Sequence, residues 1–454
     1  MGCTPPPDPT FREISYFCRE CCELHERISF AFKASLTRHA FSDILESLIP
    51  YKEKKWNYEV QKMELIKRFF QGPKSSYFLF GPRGTGKTTW LKQNCKNELT
   101  IDLLEPGLYR RYKARPERLR ELVEGNPSKK IIIIDEIQKI PELLDVVHAL
   151  MEEKLNRQFI LTGSSARKIK QKGVDLLGGR AIVRSLHPFM ASELKDKFNF
   201  DRSLKTGLIP LVCSAQDPED TLNAYFTLYL KEEVQMEGLV RNIGNFARFL
   251  EAISFSHGSV LNISNVAREC EVERKTVQGY IEVLYDLLVA YYLPVFTKKA
   301  KRAVIQHPKF FFFDTGVFRT MRPSGPLDRP GEIEGPALEG LVAQHIRAWI
   351  EYSLSSCKLY FWRTKAGTEI DFVIYGKEGF WAIEVKNTRS IRKKDLRPLK
   401  TFHQDYPECN PLFVYRGNEK LLIDNIMCVP CEIFLKSIEP NRPLISQKMF
   451  LPQN

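Results

Sequence analysis

The chain has 454 residues, more than one hydrophobic core organises, so two to four domains are expected. With 43% hydrophobic and 27% charged residues it is neither disordered nor fibrous, and no apolar run approaches the roughly 20 residues that span a bilayer. A formal net charge of +13 suits a polyanionic partner as well as it suits a solvated basic surface, and eleven scattered cysteines fit reduced thiols in a cytoplasm.

Residues 1–62 carry Pro5, Pro6, Pro7, Pro9 and a Cys18, Cys21, Cys22 cluster without a helix or strand period. They read as a poorly ordered N-terminal extension, and Pro6 stands where a myristoylation signal wants Ser or Thr. From Met63 the text becomes regular: a short amphipathic helix, an apolar strand at Tyr77 to Phe80, a Gly-rich turn and a helix from Lys87. Further apolar strands at Thr100 to Leu104, Lys130 to Ile134 and Phe159 to Thr162 alternate with helical stretches. That alternation predicts an α/β domain over 63–200, a parallel sheet with helices on both faces.

The turn after the first strand, Gly81-Pro82-Arg83-Gly84-Thr85-Gly86-Lys87-Thr88, is a complete G-x-x-x-x-G-K-T. Its glycines let backbone N–H groups turn toward phosphates, Lys87 reaches the β/γ oxygens, the Thr88 hydroxyl binds Mg²⁺, and Thr89 continues the helix. The loop from Gly81 to Thr89 is thus the expected ATP-binding segment of a P-loop NTPase. Ile131 to Ile134 then end in Asp135-Glu136. Asp135 is placed to hold Mg²⁺ through water, and Glu136 to deprotonate the attacking water of an ATP hydrolase. After the next strand, Ser164 and Ser165 put hydroxyls where the γ-phosphate lies. Arg167 and Arg180 are candidates for stabilising transition-state charge, in cis or from a neighbouring subunit, which makes a homo-oligomer a partner candidate.

Residues 201–321 are dominated by helical periods that close in a strand at Tyr291 to Phe296. Ser264 to Cys270, a turn at Glu271-Val272, and Glu273 to Asp286 have helix-turn-helix spacing. Arg274, Lys275 and Gln278 face outward on the second helix, and Lys298, Lys299, Lys301 and Arg302 lie where a basic wing reaches phosphates, so DNA is a candidate partner. A packing module is the alternative, since Glu271, Glu273 and Glu282 dilute the positive face. The stretch 322–335, rich in Pro and Gly, reads as a linker to a helix from Ala337 to Tyr352 and a final domain over 336–454.

In that domain two strands carry Thr368 to Ile374 and Trp381 to Lys386. Alternation puts Glu384 and Lys386 on one face and Ile383 and Val385 on the other, so Asp371, Glu384 and Lys386 can converge across neighbouring strands. The set resembles the PD-(D/E)XK nuclease motif. That resemblance implies acids holding a second Mg²⁺ or Mn²⁺ that activates water for phosphodiester cleavage, a lysine that steadies the nucleophile, and Glu339 completing the metal shell. An edge-strand salt bridge of Lys386 is the alternative.

Taken in order, FLFGPRGTGKTTWLK, IIIIDEIQKIPELLD, FILTGSSARKIK, GGRAIVRSLHPF, YLKEEVQMEGLVRNIGNFARFLE and FFFDTGVFR resemble the bacterial and archaeal AAA-type ATPases that carry a C-terminal DUF4143 domain. The resemblance runs from about Met63 to 440, and relatives tend to begin near Met63. It implies an ATPase core, then a winged helix, then a restriction-endonuclease-like α/β domain. Two functions remain open: an ATP-driven DNA-processing enzyme, or a STAND-like nucleotide switch whose C-terminal domain is an interaction platform.

Overall fold

The computed structural model describes residues 66–153, 156–165, 181–226, 242–298 and 301–445. The extension 1–62, Arg167, Arg180 and Lys299 lie outside the described residues. No described helix is long and apolar enough to cross a membrane, and the seven described cysteines form no disulfide.

Five parallel strands form the first sheet: β1 (Tyr77–Phe80), β2 (Glu98–Asp102), β3 (Ile131–Asp135), β4 (Gln158–Gly163) and β5 (Ile182–Ser185), in the order β2-β3-β4-β1-β5. The central strands β1, β3 and β4 are covered on both faces, which is why they are nearly continuous apolar runs, while the edge strands β2 and β5 are mixed and partly exposed. Tyr77, Leu79 and Ile133 enter one core, while Phe78, Phe80, Ile132 and Ile134 enter a second on the opposite face. Helix α1 (Lys87–Asn94) follows β1 directly. Crossover order places the carboxyl ends of β1, β3 and β4 side by side, the position where open α/β sheets bind ligands. The amphipathic helix expected before β1 is not present in 66–76; this segment is non-helical, with Phe70 and Ser76 buried.

The middle region contains α2 (Ile243–Ser254), β6 (Ser259–Val260), α3 (Ile263–Glu269), α4 (Arg274–Asp286), β7 (Ala290–Leu293) and β8 (Lys309–Phe312). The three strands pair in the order β6-β8-β7, all antiparallel. Glu271, at φ 55, makes the left-handed turn between α3 and α4. The strand expected to run to Phe296 stops at Leu293, because Pro294 has no N–H for a ladder. Beyond it the chain leaves the small sheet. Phe296 donates its N–H to the Phe361 carbonyl, and Ile305 donates to that of Arg363.

Helix α5 spans Pro330–Tyr352, so residues 330–335 of the expected linker are its first turns. Pro330 supplies the preset φ of a helix start, and Pro336 is carried inside the helix. A six-stranded mixed sheet follows: β9 (Lys358–Arg363), β10 (Glu369–Gly376), β11 (Gly379–Lys386), β12 (Asn410–Tyr415), β13 (Leu421–Ile423) and β14 (Ile426–Pro430), ordered β13-β14-β12-β11-β10-β9. Phe372, Ile383 and Val385 join the core shared with α5, whereas Val373, Ala382 and Phe413 meet Leu399 and Phe402 of α6 (Arg397–Asp405) and Phe296.

Two buried histidines are held neutral by this packing. His345 Nε2 accepts from the Ala191 N–H (2.9 Å) while Nδ1 lies 2.7 Å from the Leu341 carbonyl, and His257 Nδ1 accepts from the Phe312 N–H (3.1 Å). Burial lowers His345 to about 4 and His257 to about 3, against 6.5 for an unperturbed histidine. Below 6.5 the unfolded chain takes up protons that the folded chain refuses, so stability is fully present above 6.5 and is lost as pH falls toward 4. Each unit corresponds to ~1.4 kcal/mol, giving about 3 kcal/mol for His345. Urea unfolding between pH 7.5 and 4.5 should show this loss, with a shallower slope in His257→Phe. A flat profile would show that neither ring is held neutral.

Candidate functional site

The phosphate loop is shaped by backbone that only small residues permit. Gly84 and Gly86 adopt φ 80 and 88, and a Cβ on Gly81 would lie 2.6 Å from the Leu186 carbonyl oxygen. Lys87 is buried, and its Nζ donates to the carbonyls of Gly81 (2.6 Å) and Pro82 (3.3 Å). Thr85 is buried, while Arg83, Thr88 and Thr89 are exposed. Leu211 donates its N–H to the Gly84 carbonyl (3.2 Å), so the Ile209–Pro210–Leu211 segment leans against the loop.

Across the sheet the acids stand opposite. The Thr88 hydroxyl donates to Asp135 Oδ2 (2.7 Å), and Thr162 donates its hydroxyl to Asp135 Oδ1. Glu136 sits at φ 60, donates its N–H to Thr162 Oγ1 (3.2 Å), and its carboxylate accepts from the Gln138 amide and the Ser164 hydroxyl (3.2 Å). The donor set fits Mg-ATP. Thr88 and Asp135 would hold the ion, Lys87 and the glycine cradle the phosphates, and Glu136 stands half-buried beside them. Bound Mg²⁺ would supply charge neutralisation at the β- and γ-phosphates. Thr162 and Gln138 had no assigned role in the sequence reading. Their signal is positional: a hydroxyl at the end of the strand beside Asp135, and an amide two residues beyond Glu136.

A third residue missed is Arg68, whose side chain is 6% exposed. Its guanidinium reaches Glu193 Oε1 (3.1 Å), the Thr85 carbonyl in the phosphate loop (3.0 Å), the His187 carbonyl (2.6 Å) and the Tyr352 hydroxyl (3.2 Å). The Tyr352 oxygen also accepts from the His187 N–H (2.9 Å). Burial disfavours the Arg68 charge, but Glu193 and the Tyr352 oxygen outweigh it, and its pKa is raised. One side chain therefore bonds both the phosphate loop and the last turn of α5. Between Gly81, Pro82 and the rings of Tyr285, Tyr291 and Tyr292 lies a cavity of about 310 Å³.

In the C-terminal sheet, Asp371 and Phe372 stand as a bulge against the single Phe361. Asp371 Oδ2 accepts from the Val385 N–H (2.8 Å), and Lys386 Nζ lies 2.7 Å from Glu384 Oε1. Burial and Asp371 push Glu339 up to about 8 against the pull of Lys309 and Lys386. Burial, then Asp371, hold Glu384 well above the usual carboxylate range. The four sequence-derived residues thus sense one another, with Lys309 of β8 joined to them. Among the described residues no three His, Cys, Asp or Glu side chains form a group spaced to hold a metal ion.

On α4, Arg274, Lys275 and Gln278 are exposed. Of the basic wing residues, Lys298 lies over the Tyr375 ring (4.6 Å) and Arg302 Nε pairs with Asp405 (2.7 Å), while Lys301 is exposed. The hydrophobic anchor Phe296 draws this segment onto the C-terminal sheet.

An AAA domain matches residues 73–195, and domains of unknown function match 197–328 (DUF8612) and 334–434 (DUF4143). Uncharacterized proteins of Mycobacterium tuberculosis and Mycobacterium bovis are 27% identical over 369 residues, 79% of this chain and 80% of each relative. One from Haemophilus influenzae is 22% identical over 219 residues, 44% of this chain and 54% of its own. A solved structure, the replication initiator DnaA bound to AMPPCP and single-stranded DNA, is 14% identical and covers 48% of this chain and 83% of that one, at a TM-score of 0.25. That likeness is too distant for shared function to follow.

Proposed function

We propose that this chain, in which an AAA domain is followed by a DUF4143 domain, is an Mg²⁺-dependent ATP hydrolase that works as a nucleotide-controlled switch. The observation that carries the hydrolase reading is the assembled network of Thr88, Asp135 and Thr162 beside Glu136, Gln138 and Ser164. A nucleotide binder needs the loop alone; a positioned base beside the metal ligands serves hydrolysis. The switch reading is supported by Arg68, because phosphates drawn into the loop act on Thr85 and hence on Tyr352 of α5. The aromatic-lined cavity beside Gly81 leaves room for the middle region to shift.

The nuclease reading of Asp371, Glu384 and Lys386 has less support, since Asp371 already faces Lys309, a lysine from outside the motif. DNA contact rests on a separate observation, the exposed Arg274, Lys275 and Gln278 of α4, while Arg302 of the basic segment is paired with Asp405 of α6.

One set of measurements tests both parts. Purified full chain should hydrolyse ATP with Mg²⁺ and lose turnover in EDTA, and amide exchange across 345–352 should differ between a non-hydrolysable ATP analogue and ADP. No turnover removes the hydrolase; identical exchange removes the switch. Adding duplex DNA to the same assay separates the DNA-processing reading, which requires stimulation that fades steeply with salt.

A further inference from the structure

Lys309 is the first residue of β8, followed by Phe310 to Phe313, and its side chain is 2% exposed. A lysine is almost never buried so completely unless it is paired. Its Nζ lies 2.5 Å from Glu369 Oε1, 3.5 Å from Asp371 Oδ1 and 3.7 Å from Glu339 Oε2. These three acids come from β10 and α5, so one ammonium of the middle region is inserted among the carboxylates of the C-terminal domain. We infer that Lys309 is the resident cation of this cluster, a tethered ammonium that takes the place a divalent metal would occupy and pins the middle region to the C-terminal sheet.

Geometry supports exclusion of the metal. Both oxygens of Asp371 are engaged, Oδ1 by Lys309 and Oδ2 by the Val385 N–H. Glu384 Oε1 faces Lys386, and Arg363 lies 3.3 Å from Glu369 Oε2. A divalent ion between Asp371 and Glu339 would sit within a few ångströms of the buried Lys309 ammonium, close enough for like charges to repel strongly. The buried Glu384 Oε2 has no hydrogen-bond partner. That oxygen is what a metal would need, and the Mn²⁺ titration below tests whether one binds. For Lys309 itself, burial disfavours the charge, but Glu339, Asp371 and Glu369 outweigh it, so the ammonium stays protonated.

This inference is independent of ATP turnover, which is measured alongside it. Mn²⁺ binding to the nucleotide-free full chain is followed by electron paramagnetic resonance and by thermal melting, with Asp371→Asn as the control that isolates the C-terminal site. The wild-type chain should bind no more Mn²⁺ at millimolar concentration than Asp371→Asn, and Mn²⁺ should move the Tm of both by the same amount. Lys309→Met should melt earlier in metal-free buffer, gain at least tenfold in Mn²⁺ affinity, and lose that gain when Asp371→Asn is added. Wild-type binding that vanishes in Asp371→Asn would overturn the inference even if Lys309→Met fails to fold. So would a Lys309→Met protein with wild-type Tm and no gain in Mn²⁺ affinity.

Discussion

Glu136→Gln should retain ATP and stop turning it over. The amide keeps the hydrogen-bonding shape that Gln138 and Ser164 hold, but it cannot take a proton from water. Loss of a general base costs roughly 10²- to 10⁴-fold, so kcat should fall at least about a hundredfold while the Kd for ATP moves by less than about threefold. Lys87→Ala should do the opposite. Removing charge-assisted bonds to the phosphates, worth about 1.5–3 kcal/mol, weakens binding by roughly ten- to a hundredfold. Single-turnover hydrolysis and equilibrium titration of the two variants, side by side, decide the matter. Normal kcat in Glu136→Gln would take the catalytic role away from it.

Arg68→Ala should strongly destabilise the first sheet and the AAA domain built on it. It leaves Glu193, whose side chain is 0% exposed, as a buried charge without its partner. The Phe69 and Met190 N–H groups still bond that carboxylate, but they do not neutralise it. Breaking a buried pair from one side costs about 3–5 kcal/mol. Tyr352→Phe deletes only the hydroxyl that joins Arg68 and His187, and should cost about 1 kcal/mol. Urea unfolding measures both, read as a lower midpoint at unchanged slope. Equal stabilities for the two variants would mean that the Arg68–Glu193 pair holds little.

Four strands of the first sheet were legible, the central ones as apolar runs cut by Gly-rich and acidic turns, a local signal, whereas the edge strand β5, with Arg184 and Ser185 among its four residues, was not. The phosphate loop was legible too, since its residue types follow from phosphate geometry alone. The C-terminal acids could be nominated from alternation along β10 and β11, although the bulge at Asp371 could not. Arg68 was hidden because its partners lie between 17 and 284 positions away, and nothing beside it in sequence marks it. Lys309 was hidden for the same reason: a lysine opening a phenylalanine run looks like a strand end meeting solvent, until the sheet that covers it is known. For the basic segment after β7 the sequence showed the charges but not that Phe296 packs that segment against the C-terminal sheet.

The segment that leaves β7 has a consequence for anyone cutting this chain apart. Val295 and Val304 bridge to Phe361 and Thr364, and Phe296 fills the space between Tyr360, Tyr375 and Phe402. It is in effect a lid along the open rim of β9, where unpaired N–H and C=O groups would otherwise invite a strand from another molecule. The opposite rim is only the three-residue β13. A fragment that begins at residue 334, the start of the DUF4143 match, keeps every strand of its own sheet and yet loses this cover. Its β9 then becomes a template for self-pairing, and clumping of such a fragment would report on where the cut was made and say nothing about the fold it came from.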